Sequence, residues 1–159
     1  MPSWVAMLIM AKDRTYGELL NAVRGKKVHI WTCNTCARLC YEIGGKASAE
    51  RLAAKLGSDG VKVTGVSAVA ASCMDSSVKR GAVSADADVV IALTCDIGSK
   101  LAGDTTGKEM INPINTFGTG MITDENGPVL LTRNADGTFS KKGLLEICGT
   151  DDPEDLPFV

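Results

Sequence analysis

Apolar and polar positions come in blocks along the chain, and the blocks differ in period. Residues 14–24 carry Leu19, Leu20 and Val23 on one face and stop at Gly25, which predicts a first helix. Val28-His29-Ile30-Trp31-Thr32 is a short β-rich run that finishes at Cys33. After Gly44-Gly45, Ser48 reads as the N-cap of a helix over residues 49–56, with Leu52, Ala53 and Leu56 on one face and Gly57 closing it. A second strand over residues 61–66 leads through small residues to Cys73, and Asp75 reads as the cap of a short helix ending near Gly81. Residues 88–94 are almost continuously apolar, as a strand buried on both faces should be, and they run into Cys95. Another helical turn is expected over residues 99–102, then a short fourth strand over 110–115 whose Pro113 marks an edge position.

Strands alternating with helices predict an α/β fold, specifically a small Rossmann-like three-layer domain with a mostly parallel sheet. The tail has a different pattern. Residues 128–132 and 138–147 flank Asn134-Ala135-Asp136-Gly137, and Asp-Gly is a strong turn signal, so a C-terminal β-hairpin extension is expected. The chain then divides into an N-terminal segment and helix (1–26), a cysteine-bearing α/β core (27–120), and the hairpin with a solvated acidic tail (121–159).

Composition narrows the function. A length of 159 residues suits one domain with a real core. A net charge of -2 leaves no cationic surplus for phosphate backbones, and 4% aromatic residues argue against base-stacking platforms, so no nucleic-acid partner is expected. The apolar run over residues 1–11 has no basic residues ahead of it and is too short to span a bilayer. A cytoplasmic location follows as the expectation, and stable disulfides are not expected there.

Six cysteines therefore need another explanation. Cys33, Cys36 and Cys40 fall within eight residues, a spacing that lets three thiolates from one loop and a first helical turn face one centre. Cys73 and Cys95 each lie just past a predicted parallel strand, and in such a sheet all strand C-termini open on one rim where ligands gather. Topology is thus expected to bring Cys33, Cys36, Cys40, Cys73 and Cys95 together. Thiolates select zinc or iron–sulfur clusters over hard cations. Structural zinc usually pairs two Cys-x2-Cys knuckles, and the second is missing here, whereas three close cysteines plus a remote fourth commonly hold a [4Fe-4S] cluster. Zinc and the absence of any metal, with Cys73 and Cys95 as small buried residues, stay open as alternatives. Among ligands, Cys36 and Cys40 lead because a four-residue helical step aligns their thiols. Cys33 joins them, Cys95 is the expected fourth, and Cys73 is the reserve. Cys148 receives no role.

Other features are weaker. Gly44-Gly45 reads either as a close backbone approach to an anion or cluster or as a plain turn. His29 reads as a packed strand residue, and Asp96 as a helix cap. No nucleotide-binding glycine motif or nucleophile elbow occurs.

The stretch Trp31-Thr32-Cys33-Asn34-Thr35-Cys36-Ala37-Arg38-Leu39-Cys40 with Gly44-Gly45 resembles the methylenetetrahydrofolate reductase C-terminal domain family, which includes the small iron–sulfur subunit partnering the flavin-bearing reductase of acetogenic bacteria. The resemblance continues through Ala71-Ser72-Cys73, Asp88-Val89-Val90-Ile91-Ala92-Leu93-Thr94-Cys95 with Gly98, and Pro113-Ile114-Asn115-Thr116, covering residues 27–119. Family members often continue into a second tight cysteine segment. Here residues 121–159 hold only Cys148. The resemblance implies a cytoplasmic iron–sulfur subunit, carrying electrons or serving structurally, in a hetero-oligomeric anaerobic oxidoreductase complex of one-carbon metabolism. Its partner would be a flavin-bearing reductase or a related redox or methyl-transfer subunit. The competing readings are a zinc-stabilised interaction module and a cluster enzyme acting on a small substrate at the strand C-termini. A shortage of acid and base groups near the rim disfavours the enzyme, and the run from Trp4 to Met10 and the Asp136-Gly137 hairpin are the nominated docking surfaces.

Overall fold

A computed structural model describes residues 6–159. Two four-stranded sheets make up the frame. The parallel sheet contains β2 (Lys27–Cys33), β3 (Lys62–Val69), β4 (Val89–Leu93) and β5 (Met110–Ile111) in the order β3-β2-β4-β5. Helix α3 (Lys46–Ser58) connects β2 to β3, α4 (Asp75–Val78) leads back towards β4, and α5 (Asp96–Thr106) connects β4 to β5. The chain moves outward from β2 to β3 and then returns to the other side of β2. The strand order therefore reverses between β2 and β4, which is where an open parallel sheet leaves a crevice at its carboxyl ends.

Period-two alternation sorts this sheet's side chains onto two cores. Val28, Ile30, Val89, Ile91 and Leu93 face the larger core, with Leu52 and Leu56 of α3 and Leu19 and Val23 of α1 (Tyr16–Val23). Trp31, Val69 and Val90 face a smaller core with Val78 of α4 and Ala102 of α5. A sheet covered on both faces needs the continuous apolar run seen in β4, all five of whose residues are buried.

The second sheet is antiparallel and joins the two ends of the chain: β1 (Met7–Lys12), β6 (Ile114–Thr123), β7 (Gly127–Arg133) and β8 (Phe139–Gly143), in the order β1-β6-β7-β8. The hairpin is as expected. Gly137 takes φ +86 and the Asp136 carboxylate accepts the Thr138 N–H at 2.9 Å. Its second arm, however, ends at Gly143 and continues as α6 (Leu144–Cys148). The predicted strand 110–115 is split at Asn112-Pro113, because proline cannot carry a ladder onward, and the chain leaves one sheet for the other there. The boundary at residue 120 falls inside β6.

β1 accounts for most of the apolar N-terminal run. Its register shifts between Ile9 and Met10, and this bulge turns both side chains inward, fully buried. Met7 to Met10 therefore pack in the core instead of offering a docking face, while residues 1–5, Trp4 among them, lie outside the described residues. Among the described residues, no helix is long and apolar enough to cross a membrane.

Candidate functional site

The carboxyl rim of the parallel sheet gathers four thiols. Cys33 is the last residue of β2, Cys36 the first of α2 (Cys36–Leu39), Cys73 lies in the turn between β3 and α4, and Cys95 is the N-cap of α5. All four line one cavity of about 220 Å3, which Met7, Leu8 and Met10 of β1 close from the antiparallel sheet. Among the described residues, no side chain in its wall is charged. Cys33 and Cys95 are buried, Cys36 is half-buried and Cys73 is exposed.

Three of these sulfurs accept a backbone N–H. Ser72 N–H reaches Cys33 Sγ at 3.4 Å, Leu8 N–H reaches Cys36 Sγ at 3.5 Å, and Gly98 N–H reaches Cys95 Sγ at 3.4 Å. The last is a helix cap in which a thiol replaces the usual oxygen, so the Cys95 sulfur sits where the N-terminal N–H groups of α5 favour negative charge. Asp96, expected as the cap, is instead the first helical residue and accepts from Asn112 Nδ2 at 3.2 Å. Burial pushes the Cys36 thiol up, partly offset by the Leu8 N–H, and the neighbouring Cys33, Cys95 and Cys73 push it further.

Ser72 ties the rim together. Its Oγ donates to Gly98 O at 2.8 Å and accepts Trp31 Nε1–H at 3.0 Å, while its own N–H serves Cys33. Thr32 does the same one strand over, donating to Leu93 O at 2.9 Å and accepting Gly45 N–H at 2.7 Å. Thr32 and Ser72 thus sit along one edge of the sheet, and Thr94 joins them in the cavity wall.

Cys40 is placed elsewhere. It caps the C-terminus of α2, and its Sγ donates to Leu8 O at 3.5 Å, fully buried in the larger core. Burial pushes its thiol up to about 12, against a Met10 N–H that pulls it down. The four-residue step did align Cys36 and Cys40, but along the edge of β1, where the two sulfurs take the N–H and the C=O of Leu8. The set expected from spacing, with Cys40 in and Cys73 in reserve, is therefore not the set the cavity gathers. Cys148 is half-buried on α6, and burial pushes its thiol up as well.

The remaining candidates have structural explanations. A Cβ on Gly44 would meet Ala37 Cβ and the Leu93 carbonyl, each at 2.7 Å, so this glycine allows close packing. Gly45, at φ +95, starts α3 three residues ahead of the expected Ser48 cap, and Asn34 Oδ1 accepts the Lys46 N–H at 2.9 Å. Asp75 pairs with Lys79 at 2.7 Å and does not cap α4. His29 is a packed strand residue, held between Ser67 and Ser84. A larger opening of about 870 Å3 beside Tyr41, Asn126 and Glu146 contains no thiol.

Among the described residues, no three His, Cys, Asp or Glu side chains converge closely enough to hold a single metal ion. Sequence reasoning missed the β1 wall and the three N–H donors. The signal for β1 was present in Met7-Leu8-Ile9-Met10-Ala11, an apolar run of strand length. The donors are backbone groups and leave no side-chain trace. Comparison with protein-family models, curated proteins and solved structures finds no significant match.

Proposed function

We propose that this chain is an iron–sulfur subunit, an electron carrier of a larger oxidoreductase complex, with Cys33, Cys36, Cys73 and Cys95 holding a [4Fe-4S] cluster. The parallel sheet with helices on both faces is read as a small Rossmann-like three-layer unit whose switch-point crevice the thiols occupy. The observation that carries the reading is the shared cavity: four thiols on one apolar chamber, three of them already receiving a backbone N–H. Such N–H groups stabilise thiolate charge and set the potential of a bound cluster, and burial by Met7 and Met10 restricts solvent. When bound, the cluster would supply one-electron transfer. The chain's own part is to fix the sulfurs, screen them from water and hold their charge.

A cluster suits this donor set better than zinc. Four thiolates on one zinc ion stand about 3.8 Å apart, given Zn–S bonds of about 2.3 Å. A cubane takes each of four thiolates at its own iron, and four thiols line this one chamber, whereas the Cys-x2-Cys knuckle that structural zinc usually takes in pairs occurs only once, at Cys33 and Cys36. The uncharged walls also favour electron transfer over acid–base catalysis by the chain alone. The resemblance over residues 27–119 supports a flavin-bearing partner in one-carbon metabolism and a cytoplasmic setting.

Anaerobic reconstitution with iron and sulfide tests the reading. Uptake of about four irons and four sulfides per chain is expected, with visible absorption that bleaches on reduction. Cys33→Ala, Cys36→Ala and Cys95→Ala should lose most of that iron, while Cys40→Ala should keep it. Stoichiometric zinc binding with no iron or sulfide retained would overturn the proposal. A redox partner is supported if a copurifying flavoprotein exchanges electrons with the reconstituted chain.

A further inference from the structure

The four cavity thiols are not equivalent. Cys33 and Cys95 are buried and Cys36 is half-buried, and each sulfur is fixed by a backbone N–H at 3.4 to 3.5 Å. Cys73 is exposed, lies in a turn outside any helix or strand, and accepts no such bond among the described residues. Its neighbour Ser72 is fully buried and tied to Trp31, Gly98 and Cys33, so the backbone is anchored up to the residue before it. Met74, immediately after it, is 56% exposed. The chamber thus has three built-in corners and one that opens to solvent.

We infer that the Cys73 corner is an exchangeable coordination position, at which a small external thiolate can take the place of the protein's own sulfur. The inference rests on the cluster reading above. Three anchored thiolates would hold the cluster regardless of the fourth, and the exposed turn that carries Cys73 leaves its position open to an outside ligand. The exchange is a simple ligand substitution. The iron–sulfur bond to Cys73 breaks, a bond to the incoming thiolate forms, the Cys73 sulfur takes up the proton the external thiol gives up, and no electron moves.

Cys73→Gly, reconstituted anaerobically, is the test, with Cys95→Gly as its counterpart. Without added thiol, Cys73→Gly should retain about three irons per chain where the wild type holds about four. Added β-mercaptoethanol with ferrous iron should restore the fourth iron and the wild-type visible spectrum. Cys95→Gly should bind little iron and gain none from the thiol, since its corner is buried. A wild type that takes up no cluster would refute the underlying reading. A wild type with a full cluster, beside a Cys73→Gly variant that the thiol does not rescue or that loses all its iron, would refute this inference alone. Far-ultraviolet circular dichroism of each variant identifies a misfolded chain. If Cys73→Gly proves misfolded, the wild-type cluster decides: a slow exchange of one bound thiolate for thiophenolate, read as an absorption change, supports the position, and inertness to it overturns it.

Discussion

Leu8 shows how two thiols of the same motif come to serve different ends. Its N–H and C=O point to the open side of β1, which would otherwise be an unpaired strand edge. Cys36 accepts from the N–H, and Cys40 donates to the C=O. A thiol that donates has to keep its proton, and burial pushes Cys40 up to about 12, so it is a poor ligand. Between the ordinary thiol value of about 8.5 and 12, the folded chain keeps a proton that the unfolded chain has lost. Stability is therefore full below that window and falls as the pH rises through it. His29 acts at the other end of the scale. Its Nδ1 accepts the Ser84 N–H at 3.2 Å, and Nε2 faces Ser67 Oγ at 2.8 Å, whose own hydroxyl donates to Ala82 O. This network suits a neutral ring, and burial lowers its pKa. Between that lowered value and the ordinary value of about 6.5, the unfolded chain binds a proton that the folded one refuses. Stability is full above about 6.5 and falls as the pH drops through the window. Urea unfolding of the wild type should show this loss as the pH falls below about 6.5, and His29→Gln should flatten it. A wild-type stability that stays level across that range would refute the assignment. The packed position of His29 was legible in the sequence, but the serines that hold its ring and the Leu8 carbonyl that accepts from the Cys40 thiol are remote in the chain and leave no local mark.

At the scale of elements, α5 sets the position of the Cys95 thiol, and Gly98 sets the position of α5. A Cβ at Gly98 would collide with Thr94 Oγ1 and come within 2.9 Å of Ser72 Cβ. Helix propensity alone says that alanine gains about 1 kcal/mol over glycine in a helix. Overpacking at a buried contact reverses the sign, costing about 1–3 kcal/mol. Gly98→Ala should thus destabilise the chain in a thermal melt and weaken iron retention, because it drives α5 away from Ser72 and Cys73. A melt at or above the wild-type temperature would show that propensity wins and that the contact is loose. The main elements were legible where one local rule governs. The β4 run, the three cysteine-flanked strand ends and the Asp136-Gly137 turn all follow from period or turn chemistry. Boundaries failed where the deciding contact is remote. The N-cap of α3 moved from Ser48 to Gly45 because Thr32 and Asn34 bind the first N–H groups. Likewise, the segment after β5 changes sheet because β1, about a hundred residues away in sequence, pairs with β6.

The whole molecule sets the cavity between its two sheets. The four thiols come from the carboxyl rim of the parallel sheet, and the wall facing them comes from β1, whose own partners are β6 and, beyond it, the hairpin. Topology accounts for Cys33, Cys73 and Cys95 at the strand ends, but that Cys36 faces the chamber and Cys40 does not depends on β1 taking Cys40 to its edge, a pairing with no sequence signature. A group bound here touches the folded state only, so it stabilises by mass action, and the stabilisation is spread over whatever opens with the site. Local openings that separate the rim from β1 should therefore be suppressed first. Hydrogen exchange on the apo and reconstituted chain is the measurement. Protection should rise at Leu8, Ser72 and Gly98, the three N–H groups that point at sulfur, and along α2. Strand β8, whose side chains are mostly exposed at the far edge of the antiparallel sheet, should exchange as before. Protection appearing instead around Tyr41 and Asn126, at the larger thiol-free opening, would place the bound group in the wrong chamber for this reading.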